Sequence, residues 1–274
     1  MNTKYKLVAI DADGTLLTQD NRITKQNRDA IQAATEKGVR IVLCSGRSYR
    51  SLRLFAAEIG LNTSGNYVVA FNGGMIVNAF TNEVVYETRI DMDLAKELVA
   101  TAKPFSPAAA TIVYRDTDHI LIKPGIPITD IYATKVKTIP VPVDDISAAI
   151  TEDVQKVLLA GLWDDLQEPA KLFMSKFSNR CNMSFSGDYL FECNELNTTK
   201  GSGLAVLCNR LDITLDEVIA IGDHENDLSM IETAGLGVCM ANGEESVKRA
   251  AGYVTENDCE NSGVAEVLHK FILQ

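Results

Sequence analysis

The sequence predicts an α/β protein: a mainly parallel sheet flanked by helices and interrupted by an inserted α+β unit. Three observations carry that class. Short β-branched runs alternate with amphipathic segments at both ends of the 274-residue chain. The runs are apolar throughout, as in strands covered on both faces. The middle of the chain abandons this alternation, gathers the prolines and joins its strand candidates by hairpin-like connections.

The first strand is "KLVAI" (6–10). Thr24 caps the helix that follows; its Ala30, Ile31 and Ala34 share a face, and Gly38 stops it. "VRIVLCS" (39–45) and "NYVVAF" (66–71) are the next strands. The insertion, 86–189, begins with a helix, "DMDLAKELVATA". Strand candidates "TIVYR", "HILIK", "VQKVLLAG" and "NMSFSGDYLFEC" follow, with "RDTD" and "SGD" as turns. Leu204, Leu207 and Leu211 then restore helical spacing, and "EVIAIGD", "GLGVCM" and "GYVT" restore the buried strands. Val264, Val267, Leu268, Phe271 and Ile272 line one face of a last helix. The expected organisation is a discontinuous core of 1–85 and 190–274 around an inserted 86–189.

Composition narrows the functional classes. A formal net charge of -11 with no Lys/Arg block argues against nucleic acid or an anionic membrane as partner. The six cysteines are scattered with no C-x-x-C pair, which suits a reducing cytoplasm. No uncharged apolar run reaches the length of a membrane span, and the start "MNTKYKL" lacks the pattern of a leader. No apolar stripe singles out an oligomer, so a monomer or small homo-oligomer is expected.

In an open parallel sheet, ligands bind beyond the carboxyl ends of the strands. Here those ends read Asp11-Ala12-Asp13-Gly14-Thr15, Ser45-Gly46-Arg47, Asn72-Gly73-Gly74, and Gly222-Asp223-His224-Glu225-Asn226-Asp227. All four are polar and all carry glycine. Asp11, Asp13, Asp223 and Asp227 crowded into one crevice would repel one another, and a hard divalent cation resolves the repulsion. Oxygen ligands without a histidine–cysteine cluster point to magnesium. A carboxylate beside such a metal can attack phosphorus. Residues two apart on an extended segment face the same side, so of Asp11 and Asp13 one can attack while the other exchanges protons. Ser45 offers a hydroxyl, Gly46 close approach of backbone N–H groups at a helix start, and Lys200 a point charge for a phosphoryl group.

"DADGT", "SGR", Lys200 followed by glycine, and "GDHENDLSM", in that order, resemble the four motifs of the haloacid dehalogenase superfamily. The long insertion, "FNGG" and the GDxxND form resemble, more narrowly, its Cof-type, cap class IIB sugar-phosphate phosphatases. The resemblance implies a Rossmann-like core, an α+β cap that sets substrate specificity, Mg2+, and hydrolysis of small phosphorylated metabolites through a phospho-aspartate. By the same resemblance Asp11 is nucleophile and metal ligand. Asp13 is acid/base and binds metal through its backbone carbonyl, and Asp223 is the other metal carboxylate. Ser45, Gly46, Lys200 and Asn226 hold the phosphoryl group, and Asp227 supports the metal site.

Each signal has a plainer rival. Asp11 and Asp13 alone would pass for a solvated turn, and Lys200 alone for a surface lysine. His224 is expected to point to solvent, since no second histidine stands at ligand spacing. Cys44 and Cys239 read as small core residues, and Trp163 as packing. Two other functions fit the same core. A phosphotransferase or mutase would not release free phosphate stoichiometrically. A phospho-aspartate signalling or binding protein would have no use for Asp13 as a built-in acid/base.

Overall fold

The computed structural model describes residues 4–187 and 189–274. The chain divides into two compact units: 1–46, 52–86 and 199–274 in the first, and 47–51 with 87–198 in the second.

The first unit contains β1 (Leu7–Ile10), α1 (Lys25–Glu36), β2 (Arg40–Cys44), most of α2 (Tyr49–Glu58), β3 (Tyr67–Ala70), β4 (Met75–Asn78) and most of β5 (Val84–Glu87). The second contains α3 (Met92–Ala102), β6 (Ala110–Tyr114), β7 (His119–Ile122), α4 (Pro127–Val136), β8 (Ile139–Pro142), α5 (Ile146–Ala149), β9 (Lys156–Ala160), α6 (Trp163–Phe177), β10 (Cys181–Phe185) and β11 (Leu190–Glu195). The chain then returns through α7 (Lys200–Leu211), β12 (Val218–Gly222), α8 (Leu228–Thr233), β13 (Leu236–Cys239), α9 (Glu245–Ala250), β14 (Tyr253–Val254) and α10 (Gly263–Phe271).

The first unit is built on an eight-stranded sheet of order β14-β13-β12-β1-β2-β3-β4-β5. β14 through β3 are parallel neighbours, and β4 turns back antiparallel to β3. This is a Rossmann-like α/β core. Its central strands are buried along their whole length, which is why they read as continuous apolar runs. The connections leave β1 toward β2 on one side, while β12 and β13 lie on the other. The order therefore reverses between β1 and β12, the place where a crevice opens at the carboxyl ends. One face of this sheet is covered by α7, whose Leu204, Leu207 and Cys208 pack with Ala9, Val42, Val69 and Ala220. Thr24 caps α1 as expected: its side chain accepts the Asn27 N–H.

The second unit carries a six-stranded sheet, β10-β11-β9-β6-β7-β8. All its pairings are antiparallel except β7 with β8. α3, α5 and α6 cover one face around Leu98, Leu159, Phe173 and Phe191. Residues 190–198, expected in the core, belong here because β11 pairs with both β9 and β10. α4 and α6 were not legible as helices: Pro127 and Pro169 interrupt the helical reading. Pro127 sits in the first turn of α4, where its missing N–H costs nothing, whereas Pro169 lies inside α6. Of the expected "SGD" turn, Asp188 lies outside the described residues, as do 1–3 at the start. No helix among the described residues is long and apolar enough to cross a membrane.

Candidate active site

β1 delivers Asp11 to the crevice. Its backbone N–H continues the parallel ladder onto Ile221 O at 3.0 Å, so Asp11 faces the end of β12, where Asp223 begins the next loop. Gly14 makes the turn between them close. It has φ +74°, and a Cβ there would stand 2.3 Å from the Asp223 carboxylate. Thr15, one residue on, donates its hydroxyl to Asp223 Oδ1 at 2.6 Å.

Lys200 enters from α7, of which it is the first residue. Thr199 caps that helix through a reciprocal bond with Ser202. The Lys200 side chain is 1% exposed, and its Nζ donates to Asp11 Oδ1 at 2.5 Å and to Asp227 Oδ1 at 2.6 Å. The other Asp227 oxygen accepts the backbone N–H groups of Asp223 and His224 at 2.9 and 3.1 Å. Asp227 therefore pins the lysine and the loop together.

These groups set one another's charge. Burial pushes the Asp11 carboxyl well above its ordinary range; Lys200 opposes this, while Asp227 and Asp223 add to it. Burial, with Asp227 next, raises Asp223 to about 7, against the pull of His224, Thr15 and Lys200. Burial alone would discharge Lys200, but Asp11 and Asp227 outweigh it and hold the ammonium above its usual value. Two of the three acids, Asp11 and Asp227, thus share one buried ammonium, while Asp223 is not bonded to it. Asp11, Asp223 and Asp227 each offer an oxygen within 4.8 Å of the others'. Such a donor set, all oxygen and short of positive charge, fits a hard divalent ion.

Among the sequence-derived residues, Asp11, Lys200, Asp223 and Asp227 come together. Asp13 is half-buried in the turn after β1 and is not one of the three clustered acids. Ser45, buried at the end of β2, joins the neighbouring strand end: its N–H donates to Val69 O and its carbonyl accepts Asn72 N–H, both at 3.0 Å. Gly46 does not open a helix; α2 starts at Tyr49, and Ser48 O and Oγ receive the Ser51 N–H in its first turn. Asn226 donates its side-chain amide to Asn72 Oδ1 at 3.2 Å.

His224 does not simply face solvent. Its Nδ1 lies 2.6 Å from Glu244 Oε1 and its Nε2 lies 3.7 Å from Asp223 Oδ2, with the ring one-third exposed. Burial lowers its pKa, but Asp223 and Glu244 raise it more. Sequence reasoning also passed over Thr15, Asn72 and Asn242, whose amide donates to Gly14 O at 2.8 Å. Their partners stand 154 to 228 residues away, so no local spacing announces them. Cys44 and Cys239 are buried, and burial raises both thiols, as fits core residues. Trp163 is half-exposed against Phe185 at 4.8 Å.

In the second unit, Lys156 and Glu192 form a buried ion pair of 2.8 Å, with the lysine over the Tyr114 ring. Strand alternation puts Tyr114, Lys156 and Glu192 on the sheet face opposite Val113, Val157 and Phe191.

A sequence profile described as haloacid dehalogenase-like hydrolase matches residues 8–268. The chain is 33% identical to the candidate phosphatase YxeH of Bacillus subtilis, over 98% of this chain and 99% of that protein. It is 29% identical to the 5-amino-6-(5-phospho-D-ribitylamino)uracil phosphatase YcsE of the same organism, over 98% and 96%. A solved haloacid dehalogenase-like hydrolase from Bacteroides thetaiotaomicron superposes with a TM-score of 0.85 at 32% identity, over 97% of this chain and 99% of that one. The HAD subclass IIB sugar phosphatase BT4131 shares the fold, with a TM-score of 0.82 at 22% identity over 97% and 98%. This chain, a phosphatase, belongs to the haloacid dehalogenase-like hydrolase family, in its Cof-type branch.

Proposed function

We propose that this phosphatase is magnesium-dependent and hydrolyses small phosphorylated metabolites, sugar phosphates foremost, through a phosphorylated Asp11. The observation that carries the reading is the Asp11 carboxylate, buried at a strand end, bonded to Lys200 and within reach of two more acids.

One Asp11 oxygen attacks phosphorus as the bond to the leaving oxygen breaks, and Asp13 gives that oxygen a proton. In the second half Asp13 removes a proton from water, the water oxygen attacks phosphorus, and the Asp11–phosphorus bond breaks to release phosphate. Ser45, Gly46, Asn226 and Lys200 donate to the phosphoryl oxygens, where charge builds up in both transition states. Magnesium, held by Asp11, Asp223 and the Asp13 carbonyl, would neutralise the carboxylates and the incoming phosphate. Asp227 keeps Lys200 and the Asp223 loop in place.

The core serves catalysis, and the inserted unit reads the organic part of the substrate. Eleven basic and fifteen acidic side chains leave 86–189 at -4, which favours a neutral sugar or polyol over a polyphosphate. The relatives named for sugar phosphates and for a phosphorylated ribityl compound point the same way.

Phosphate release should be measured with magnesium over sugar phosphates, polyol phosphates, nucleotides and pyridoxal phosphate. A polyol or sugar phosphate is expected to lead, with release abolished by EDTA and by Asp11→Asn. Turnover that survives either treatment contradicts the reading.

A further inference from the structure

The segment "FNGG" after β3 has no part in the chemistry described so far, yet its backbone is costly. Phe71, Asn72 and Gly73 are consecutive left-handed residues, with φ of 51°, 54° and 97°. Two of the three are not glycine, and Phe71 and Asn72 are 0% and 2% exposed. Buried residues held in so sparsely populated a region persist where their surroundings fix them, and such places cluster at functional sites.

The surroundings are three strand ends or helix ends of the active site. Asn72 N–H donates to Ser45 O at 3.0 Å, tying the turn to the end of β2. Asn72 Oδ1 accepts Asn226 Nδ2 at 3.2 Å, tying it to the loop after β12. Gly73 lies so close to α7 that a Cβ on it would be 2.1 Å from Thr199 O, beside Lys200.

The backbone of the turn accounts for a residue that tolerates left-handed φ at position 72, which asparagine or glycine would satisfy equally. It does not account for the bond between the two carboxamides. An amide has an accepting end and a donating end of nearly the same shape. With Asn72 Oδ1 taking one hydrogen of Asn226 Nδ2, the donating end is fixed and its second hydrogen remains for an anion. If the Asn226 amide turned over, it would present an oxygen to phosphoryl oxygens and repel them.

We propose that Asn72 is a positioning residue for phosphoryl binding, acting through Asn226 by fixing which end of that amide faces the phosphoryl group. The proposal rests on the reading of Asn226 as a phosphoryl holder.

The test is a double-mutant cycle read by KM for p-nitrophenyl phosphate and by inhibition with inorganic phosphate. Asn72→Gly keeps the left-handed backbone and its N–H and removes only the carboxamide. Its melting temperature should match the wild type, while KM and the phosphate inhibition constant rise about tenfold, the order of one lost hydrogen bond to a charged group. In an Asn226→Ala background the same change should alter either constant by less than about twofold, because the residue it acts through is gone. Equal effects in both backgrounds, or none in the wild type, overturn the proposal while leaving Asn226 in its role. An Asn226→Ala variant that binds phosphate normally removes that role, and the proposal with it.

Discussion

Lys200 Nζ meets Asp11 and Asp227 at 2.5 and 2.6 Å with almost no exposure, so its charge is both a structural and a chemical resource. Lys200→Met leaves two buried carboxylates without their partner. Breaking a buried pair in this way costs about 3 kcal/mol or more in a metal-free protein, and urea unfolding measures it. Activity should fall independently of stability, by about 10²–10³ in kcat/KM at a temperature where the variant is folded, as when a fixed donor to a transition-state anion is lost. Asp11 and Asp223 were readable because each ends an apolar run with glycine close by, Asp11 after "LVAI" and Asp223 after "VIAIG", whereas Lys200 follows a polar stretch and was read only from its place among the motifs. The residues that orient them were not. Thr15 was quoted only as part of a turn, and His224 was assigned to solvent, since no second histidine stands at ligand spacing. The structure supplies Glu244, brought to His224 by the backbone bond of Glu244 N–H to Asp223 O at 2.9 Å.

At the scale of elements, the site depends on α7 approaching the turn after β3 without side chains between them. Gly203, inside that helix, would place a Cβ 2.5 Å from Gly73 Cα. Replacing a helical glycine by alanine ordinarily gains about 1 kcal/mol from propensity. Here the obstacle is backbone, which does not yield as a flexible side chain would, and overpacking of this kind costs about 1–3 kcal/mol. The overlap wins: Gly203→Ala should destabilise the protein in urea unfolding, and a gain in stability would contradict the close packing. β1, β2, β3, β12, β13 and β14, with α1, α3, α7 and α10, were legible from period and caps; β4 and β5, at the antiparallel edge of the core sheet, were not. In α6, Leu166, Ala170, Phe173 and Phe177 keep helical spacing, but Pro169 sits among them and masks the pattern. β11 was read correctly as a strand, but a strand's own sequence does not say which sheet it joins. Its partners β9 and β10 decide that, and they moved the unit boundary from 190 to 199.

For the molecule as a whole, the acid cluster links stability, pH and metal. Asp11 and Asp223 are both raised above their unfolded values, chiefly by burial. Their contribution is fully present below the ordinary carboxyl pKa of about 4, and is lost as pH rises through the folded value, about 7 for Asp223. A metal-free sample should therefore lose stability across that window. Magnesium held by these acids, as proposed, would compete with the protons, so the rise in melting temperature it gives should be larger at pH 8 than at pH 5. Equal shifts at the two pH values would mean that the ion binds elsewhere. That Asp11 attacks and Asp13 exchanges the protons is tested by acid-quenched turnover of phosphorus-labelled p-nitrophenyl phosphate by Asp13→Asn. The p-nitrophenolate leaves without a proton, so the first step proceeds while the second lacks its base. Turnover should slow by about 10²–10⁴, with label accumulating on the peptide that contains Asp11. Continued phosphate release with no label on that peptide would contradict it.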